Sequence, residues 1–310
     1  MSWRKALLVV MLLGLVAYSV LSTYVVSASL QPGRTCATGG DPPPDLHAEA
    51  VTFRSRTDGI SLAGWLVSTG SDRAVVLIHG IDSDAWAGAA PDLAGAYVRA
   101  GFDVLLFDLR AHGRSGGERV GLGSLERGDL RAAVDLLIER GVPPGRVSLH
   151  GTSYGAAMAL IAAAEIPEVG AVIADSAFAD ARDLIATEVG RRTRAPGALA
   201  GLVLRPGIET AARMLFGINL ASLAPERVVQ RIAPRPLLII HGERDPVIPL
   251  DHARRLAQHA SDAEVWILDE MGHTEGARSG PCNQVPSPGR ERFLDGVVAF
   301  MDVASRRNQP

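Results

Sequence analysis

Short apolar runs recur along most of the chain, and polar segments with a helical period separate them. Six of these runs have the length of buried strands: residues 75–78, 104–107, 147–149, 171–174, 237–240 and 265–268. Strands that are apolar at every position and alternate with helices indicate a parallel sheet with helices on both faces. Residues 51–56 and 60–67 alternate around Asp58-Gly59, which predicts an antiparallel hairpin in front of that sheet. The predicted fold class is therefore α/β, with a doubly wound and mostly parallel sheet.

The first apolar segment is longer than the others. Residues 6–26 carry no charge and can cross a bilayer as a helix, and Arg4 and Lys5 precede them. Because such positive flanks stay in the cytoplasm, the rest of the chain is expected outside it. We predict that residues 1–30 are a transmembrane anchor in the cell membrane. A cleaved signal peptide is the alternative, since Val26-Ser27-Ala28 resembles a processing site, and the protein would then be secreted.

Composition predicts one folded domain after this segment. Residues 31–48 are rich in Pro and Gly and are expected to be a linker, and residues 49–305 to be the domain. A chain of 310 residues that is 47% hydrophobic can bury a core of that size. The net charge of -3 gives no argument for a nucleic-acid partner, and Arg191, Arg192 and Arg194 are expected in a solvated loop. The sequence does not predict the oligomeric state.

Export bears on the two cysteines. An oxidising compartment permits a disulfide between Cys36 and Cys282, which would tie the linker to a loop near the C-terminus. The sequence does not supply the distance between them, so a disulfide and two free thiols are both open. No Cys/His spacing resembles a zinc site, so neither a metal nor a cofactor is expected.

Gly151-Thr152-Ser153-Tyr154-Gly155 is the strongest chemical signal in the chain. A short apolar strand precedes it, and a helix rich in small residues is predicted at 156–164. A serine between two glycines at such a strand-to-helix turn is the arrangement called a nucleophile elbow. Side chains at Gly151 and Gly155 would collide with the neighbouring helix and strand. Ser153 is therefore the predicted nucleophile.

A serine hydroxyl needs a base, and the base normally needs an acid that orients it. Asp245 and His273 lie on loops after two consecutive predicted strands, where a parallel sheet collects its reactive groups. We assign His273 as the general base and Asp245 as its acid. Asp175, at the end of the strand after the elbow, is the alternative acid. His150 and His241 are expected to be structural, and His252 and His259 to lie on a surface helix.

Other catalytic groups are disfavoured. Lys5 is the only lysine and lies in the N-terminal flank, which excludes a Ser-Lys pair in the body of the protein. Arginines stay protonated and cannot act as the base. The oxyanion of an acyl-transfer reaction needs donors, and the predicted strand at 73–78 leads into His79-Gly80. The backbone N–H groups of Ile81 and Tyr154 are the predicted oxyanion hole.

Taken together, these motifs resemble an α/β-hydrolase. The resemblance rests on His79-Gly80, on Asp108-Leu109-Arg110-Ala111-His112-Gly113-Arg114-Ser115, on the elbow, on the Asp245 loop and on Gly272-His273. It covers residues 51–303 in the family's order. The chain is similar to bacterial prolyl-oligopeptidase-like and serine-aminopeptidase-like hydrolases, whose activities range over esters, lipids and peptides. It departs from the common pattern at Ala111, where many relatives have glycine, which makes membership in one subfamily less certain.

The resemblance implies a small helical lid over the active site at residues 176–233. Its apolar residues either line an acyl pocket or pack the lid onto the sheet: Leu199, Leu202, Val203, Leu204, Met214, Leu215 and Phe216. The predicted function is a serine hydrolase that cleaves small-molecule or lipid esters through an acyl-enzyme. A peptidase or amidase and a non-catalytic binding protein of the same fold are alternatives. Haloperoxidase-like or dehalogenase-like chemistry is a less well supported alternative, because dehalogenases of this fold have Asp at the elbow.

Overall fold

The computed structural model describes residues 2–184 and 197–307. Its main sheet has eight strands in the order β1-β2-β4-β3-β5-β6-β7-β8. These strands are β1 (Glu49–Arg54), β2 (Ser61–Val67), β3 (Ala74–Ile78), β4 (Asp103–Phe107), β5 (Val147–Thr152), β6 (Val169–Asp175), β7 (Leu237–Gly242) and β8 (Glu264–Leu268). A small antiparallel pair consists of β9 (Arg278–Ser279) and β10 (Val285–Pro286). The strands of the main sheet match the sequence predictions to within a few residues at each end.

The helices cover both faces of the sheet. They are α1 (Trp3–Leu30), α2 (Ala90–Arg99), α3 (Glu126–Glu139), α4 (Tyr154–Ala163), α5 (Gly197–Phe216), α6 (Asp251–His259) and α7 (Arg290–Arg307). Helices α2 and α7 pack together on one face, and α3 and α4 on the other. The parallel strands β3, β4, β6 and β7 are buried at every position and β5 at all but its last, Thr152, as continuous apolar runs require. The α/β-hydrolase fold and the antiparallel β1–β2 pair are both confirmed.

Helix α1 enters the domain with its last turns only. Val26 and Leu30 are buried in the larger core, and the carbonyl of Leu30 accepts a hydrogen bond from the N–H of Val120 at 2.9 Å. Most side chains before Ser22 are exposed and apolar. The helix is long and apolar enough to span a membrane, although a signal sequence would meet the same test.

The insertion between β6 and β7 packs against α1. Helix α5 contacts α1 where the Tyr18 hydroxyl donates to the carbonyl of Val203 at 2.7 Å and accepts from the N–H of Gly207 at 2.9 Å. A side chain at Gly207 would collide with Tyr18 and Ser22, so the glycine allows this approach. Three short 3₁₀ turns complete the described part of the insertion. Arg191, Arg192 and Arg194, predicted in a solvated loop, lie outside the described residues.

Residues 31–48 are bound to the domain and do not form the free spacer that their composition predicted. The N–H of Cys36 donates to the carbonyl of Asp82 at 2.8 Å. The hydroxyl of Thr38 donates to the carboxylate of Asp84 at 3.1 Å. Specific polar partners on the loop after β3 hold this segment, and composition alone cannot reveal such partners.

Candidate active site

Ser153 lies at the turn between β5 and α4. Its backbone has φ 53° and ψ -118°, a conformation that L-residues adopt only when the surroundings impose it. The N–H of Ser153 donates to the carbonyl of Asp175 at 2.8 Å, which ties the turn to the neighbouring strand β6. The structure therefore exposes the Ser153 side chain at the carboxyl edge of the sheet, as the elbow motif predicts.

The two glycines of the elbow allow its backbones to approach closely. A Cβ on Gly151 would collide with the backbone of Gly155 and Ala156 in α4. A Cβ on Gly155 would collide with the carbonyl oxygens of Ile78 and His79, at the end of β3. Backbone atoms cannot move aside as a flexible side chain can. The steric role predicted for both glycines is confirmed.

His273 and Asp245 meet Ser153 at this edge. The Ser153 hydroxyl lies 2.8 Å from Nε2 of His273, and Nδ1 of His273 lies 2.6 Å from Oδ2 of Asp245. The loops after β7 and β8 supply the acid and the imidazole. The structure thus brings the three predicted side chains into one hydrogen-bonded chain.

Asp245 is held as a carboxylate. Burial by itself would raise its pKa, but the hydrogen bond and charge of His273 outweigh burial and hold the pKa below its ordinary value. Its other oxygen, Oδ1, accepts the N–H groups of Val247 and Ile248, each at 2.8 Å. These bonds fix the carboxylate, so it can hold the imidazole with Nδ1–H toward Asp245 and Nε2 toward the serine.

Asp175, the alternative acid, has a different partner. Its Oδ1 accepts the hydroxyl of Ser176 at 3.0 Å. Burial raises the pKa of Asp175 to about 6, against the opposing effects of the Ser176 hydroxyl and of His273. The geometry therefore favours Asp245 over Asp175 as the partner of His273.

The predicted oxyanion donors lie on either side of Ser153. Ile81 follows β3 and lines the same cavity as Ser153, and Tyr154 is the first residue of α4. In the described part of the chain, neither backbone N–H donates to an acceptor. His79 positions this turn, because its Nδ1–H donates to the carbonyl of Gly80 at 2.7 Å and its Nε2 accepts from Leu109 at 2.9 Å. Burial lowers the pKa of His79 to about 3, so it is neutral and structural.

The loop that carries His273 has supports that the sequence analysis missed. Oε2 of Glu275 accepts the N–H of Gly272 at 2.7 Å, and the Ser176 hydroxyl accepts the N–H of Thr274 at 3.1 Å. The side-chain amide of Asn283 donates to the carbonyl of Thr274 at 3.2 Å. An acid two residues after the histidine was the only local signal. Asn283 follows on the same stretch of chain without a recognisable motif, and Ser176 is distant in sequence.

Three other histidines are hydrogen-bonded inside the domain, and the prediction for one of them needs correction. Nε2 of His241 donates to the carbonyl of Ile248 at 2.8 Å, and Nδ1 of His150 bonds to the Tyr97 hydroxyl. The prediction that His252 lies on a surface helix is wrong. It is buried, and its Nδ1 accepts the N–H of Ala179 at 3.1 Å, because its face of α6 packs against the domain. His259 of the same helix is exposed, as predicted.

The candidate site opens into a cavity of about 560 Å³. The Cys36–Cys282 disulfide, with an S–S distance of 2.13 Å, closes one side of it. None of the described residues of 176–233 lines this cavity, so of the two alternatives for these apolar residues the acyl pocket is wrong for the side chains that the structure describes. The side chain of Leu199 lies outside that description. Leu202, Val203, Met214 and Leu215 are exposed on α5 instead, while Leu204 and Phe216 pack on the larger core.

The described residues contain no group of three or more His, Cys, Asp or Glu side chains that could hold a metal ion. The reactive groups of the cavity are those of acyl transfer. They are a hydroxyl that is hydrogen-bonded to an imidazole and a carboxylate that is hydrogen-bonded to the other nitrogen of that imidazole.

Comparison with known proteins agrees with the fold. The family profile described as "alpha/beta hydrolase fold" matches residues 73–213, and the profile described as "TAP-like protein" matches residues 220–287. The protein YfhR of Escherichia coli K12 is 30% identical over 267 residues, which are 84% of this chain and 84% of YfhR. The human serine hydrolase BPHL is 27% identical over 272 residues, which are 82% of this chain and 90% of BPHL.

Among solved structures, the esterase Pf2001 of Pyrococcus furiosus matches with a TM-score of 0.66 and 24% identity. The match covers 89% of this chain and 98% of the esterase chain. At that identity the similarity supports the fold alone. The assignment to a family rests on the sequence relatives. This protein therefore belongs to the α/β-hydrolase superfamily and is a hydrolase.

Proposed function

We propose that this protein is a serine esterase, anchored in a membrane, that cleaves carboxylic esters through an acyl-enzyme. Ser153 is the nucleophile, His273 the general base and Asp245 the orienting acid. The observation that carries the proposal is the continuous hydrogen-bonded chain from the Ser153 hydroxyl through both ring nitrogens of His273 to Asp245. A hydrolase relative with a "serine hydrolase" name supports the same reading.

In the first half-reaction, Oγ of Ser153 attacks the ester carbonyl while its proton moves to Nε2 of His273. The N–H groups of Ile81 and Tyr154 stabilise the negative charge on the carbonyl oxygen. When the tetrahedral intermediate collapses, His273 returns the proton to the departing alkoxide, and the acyl group stays on Ser153. Asp245 stabilises the transient imidazolium, since its own pKa is held low.

In the second half-reaction, water replaces the alcohol. His273 takes a proton from the water, whose oxygen attacks the acyl carbonyl, and the same two N–H groups again stabilise the oxyanion. Collapse breaks the bond to Oγ, which recovers its proton from His273 and releases the carboxylic acid.

Labelling with a fluorophosphonate tests the proposal directly. The full-length protein should be labelled at Ser153, and Ser153→Ala should abolish the label. Ser153→Ala and His273→Ala should each lower ester turnover about a thousandfold or more. A wild-type protein that is folded but neither labelled nor active on any ester or amide would show that it is a non-catalytic binding protein of this fold.

Two substitutions distinguish the acids. Asp245→Asn should lower kcat substantially, because an amide favours the wrong tautomer of the imidazole, while Asp175→Asn should lower it far less. The reverse order would transfer the acid role to Asp175. Matched aminoacyl amides in the substrate panel separate the esterase from a peptidase, since an amidase would cleave both series.

We infer that residues 1–30 remain on the mature protein. Cleavage after Ala28 would remove Val26, whose side chain is 2% exposed inside the domain core, and would also remove Tyr18 and its bonds to α5. The Cys36–Cys282 disulfide fits a domain that folds outside the cytoplasm. Exposed Leu202, Val203 and Met214 on α5 lie beside α1 and are compatible with a membrane surface there.

N-terminal sequencing of the protein from purified membranes, together with alkaline carbonate extraction, tests this location. A retained anchor gives the intact N-terminus and a protein that resists extraction. A mature chain that starts near residue 29 and appears in the soluble fraction would instead establish a secreted enzyme.

A further inference from the structure

The cavity beside Ser153 continues into the core between the sheet and helices α2 and α7. Leu77 and His150 are neighbours in register on β3 and β5, so they point to the same face of the sheet. Leu93 of α2 and Phe293 of α7 face them, and all four side chains line the cavity and are buried. We call these four residues, with Ala277, the inner recess.

His150 is the one member of the inner recess that carries a polar side chain. It is 1% exposed, and its Nδ1 lies 2.8 Å from the hydroxyl of Tyr97. Its Nε2 has no hydrogen-bond partner among the residues that the structure describes. Burying a polar atom without a partner is unfavourable, so an unpaired ring nitrogen on a residue that lines the cavity points to a ligand group that completes it.

The Tyr97 hydroxyl determines which tautomer His150 adopts. Tyr97 is fully buried, and within the described chain its hydroxyl bonds only to His150. We assign the hydroxyl as the donor to Nδ1, because the opposite direction would leave the buried Tyr97 O–H without an acceptor; the ring proton is then on Nε2. Burial lowers the pKa of His150 to about 3, so the imidazole is neutral near pH 7. The inner recess thus contains one neutral N–H donor among apolar side chains.

We propose that Nε2–H of His150 is a specificity-determining donor that selects esters with a carbonyl, ether or hydroxyl oxygen in the part that enters the inner recess. The inference rests on the proposed esterase function and names its substrate class. A site built around a buried donor discriminates against an all-carbon analogue, because binding that analogue leaves the donor unpaired. His150 does not act as a base here, since its neutral state and its bond to Tyr97 are both fixed.

The test compares matched nitrophenyl esters on the full-length enzyme, such as 4-oxopentanoate with pentanoate and methoxyacetate with butanoate. A second series places the oxygen on the alcohol side, as in 2-methoxyethyl and butyl esters of one acid. The measured quantity is the ratio of kcat/KM for the oxygenated ester to that for its alkyl match. Dividing the wild-type ratio by a variant's ratio cancels the intrinsic reactivity of each ester.

His150→Phe keeps a planar ring in the core and removes the donor. We expect it to lower the ratio about tenfold in one of the two series, and that series identifies which side of the ester enters the recess. His150→Gln restores an N–H donor and should recover part of the ratio. Tyr97→Phe frees the tautomer and should give an intermediate ratio. His252→Phe, a matched substitution of a buried histidine that does not line the cavity, should leave the ratio at the wild-type value.

Fluorophosphonate labelling of every variant distinguishes failure of the inference about His150 from failure of the esterase proposal. If His150→Phe is labelled at Ser153 but its ratio equals that of the wild type in both series, the inference about His150 is wrong and the esterase proposal stands. An equal decrease of the kcat/KM ratio in His252→Phe would also overturn the inference about His150, because the decrease would then reflect a general loosening of the core. If the wild type itself is neither labelled nor active, both proposals fail.

Discussion

Replacing Asp175 with asparagine should stabilise the protein at neutral pH. Asp175 ends β6 and is 4% exposed, and burial raises the pKa of its carboxyl from 3.8 to about 6. Asparagine keeps a carbonyl oxygen for the hydroxyl of Ser176, so the substitution removes the charge and preserves that hydrogen bond. The variant isolates the cost of one buried negative charge.

The sign and size of the change in stability follow from the shift in the pKa of Asp175. A carboxyl whose pKa is higher in the folded state makes that state bind more protons, so stability falls as pH rises between the two pKa values. A shift of about two units corresponds to about 3 kcal/mol, at about 1.4 kcal/mol per unit. The gain in unfolding free energy from Asp175→Asn should therefore be below about 1 kcal/mol at pH 4, where the folded carboxyl is protonated and the unfolded one is only about half ionised, and about 3 kcal/mol at pH 8.

Denaturant unfolding of the full-length protein in detergent, followed by tryptophan fluorescence at pH 4, 5.5 and 8, measures this difference. Asp180→Asn is a control of opposite sign. Burial alone would raise the pKa of Asp180, but Arg182 outweighs it and lowers the pKa, so this variant should lose stability at pH 8 and lose less as pH falls. The prediction would be refuted if the difference in unfolding free energy between Asp175→Asn and wild type did not change with pH. It would also be refuted if the variant were no more stable than wild type at pH 8.

Three further predictions concern structural supports of the site. Gly155→Ala should prevent formation of a labelled enzyme, because its Cβ would meet backbone carbonyls; a soluble variant labelled like wild type would contradict this. Replacing Cys36 and Cys282 together by serine should cost about 2–5 kcal/mol of unfolding free energy and raise KM, since the disulfide lines the cavity, and the wild type should show no free thiol before reduction. Arg110→Met should cost about 3–5 kcal/mol in denaturant unfolding, because it leaves the buried carboxylate of Asp129 without its bidentate partner, and an unchanged midpoint would refute this.

Local sequence was sufficient for the elbow and for the strands. The requirement for glycine at 151 and 155 comes from backbones that meet within one strand-turn-helix unit, so a five-residue motif already carries it. Continuous apolar runs predicted strands buried on both faces, and the chain order of Ser153, Asp245 and His273 placed them after particular strands. These features depend on neighbours in the sequence or on a general rule of parallel sheets.

Choices between similar candidates depended on tertiary structure. Asp175 ends β6, and Asp245 lies on the loop after the adjacent strand β7. The sequence favoured Asp245 but left Asp175 open, and the course of the two loops places Oδ2 of Asp245 at 2.6 Å from His273. The burial of His252 depends on a contact with a backbone group more than seventy residues away. Periodicity records which face of an element is apolar, but not which distant atom that face meets.

The sequence by itself determined the superfamily and an N-terminal apolar helix, and it predicted Ser153 as the nucleophile. Tertiary packing decided that residues 31–48 bind to the domain and that α5 packs against α1 and does not line the cavity. It also decided that Cys36 and Cys282 form a disulfide that lines the same cavity as Ser153. The physical reason is that hydrophobic pattern and turn chemistry are properties of short segments. A hydrogen bond, a disulfide or a cavity wall between distant segments exists only once the whole chain has packed.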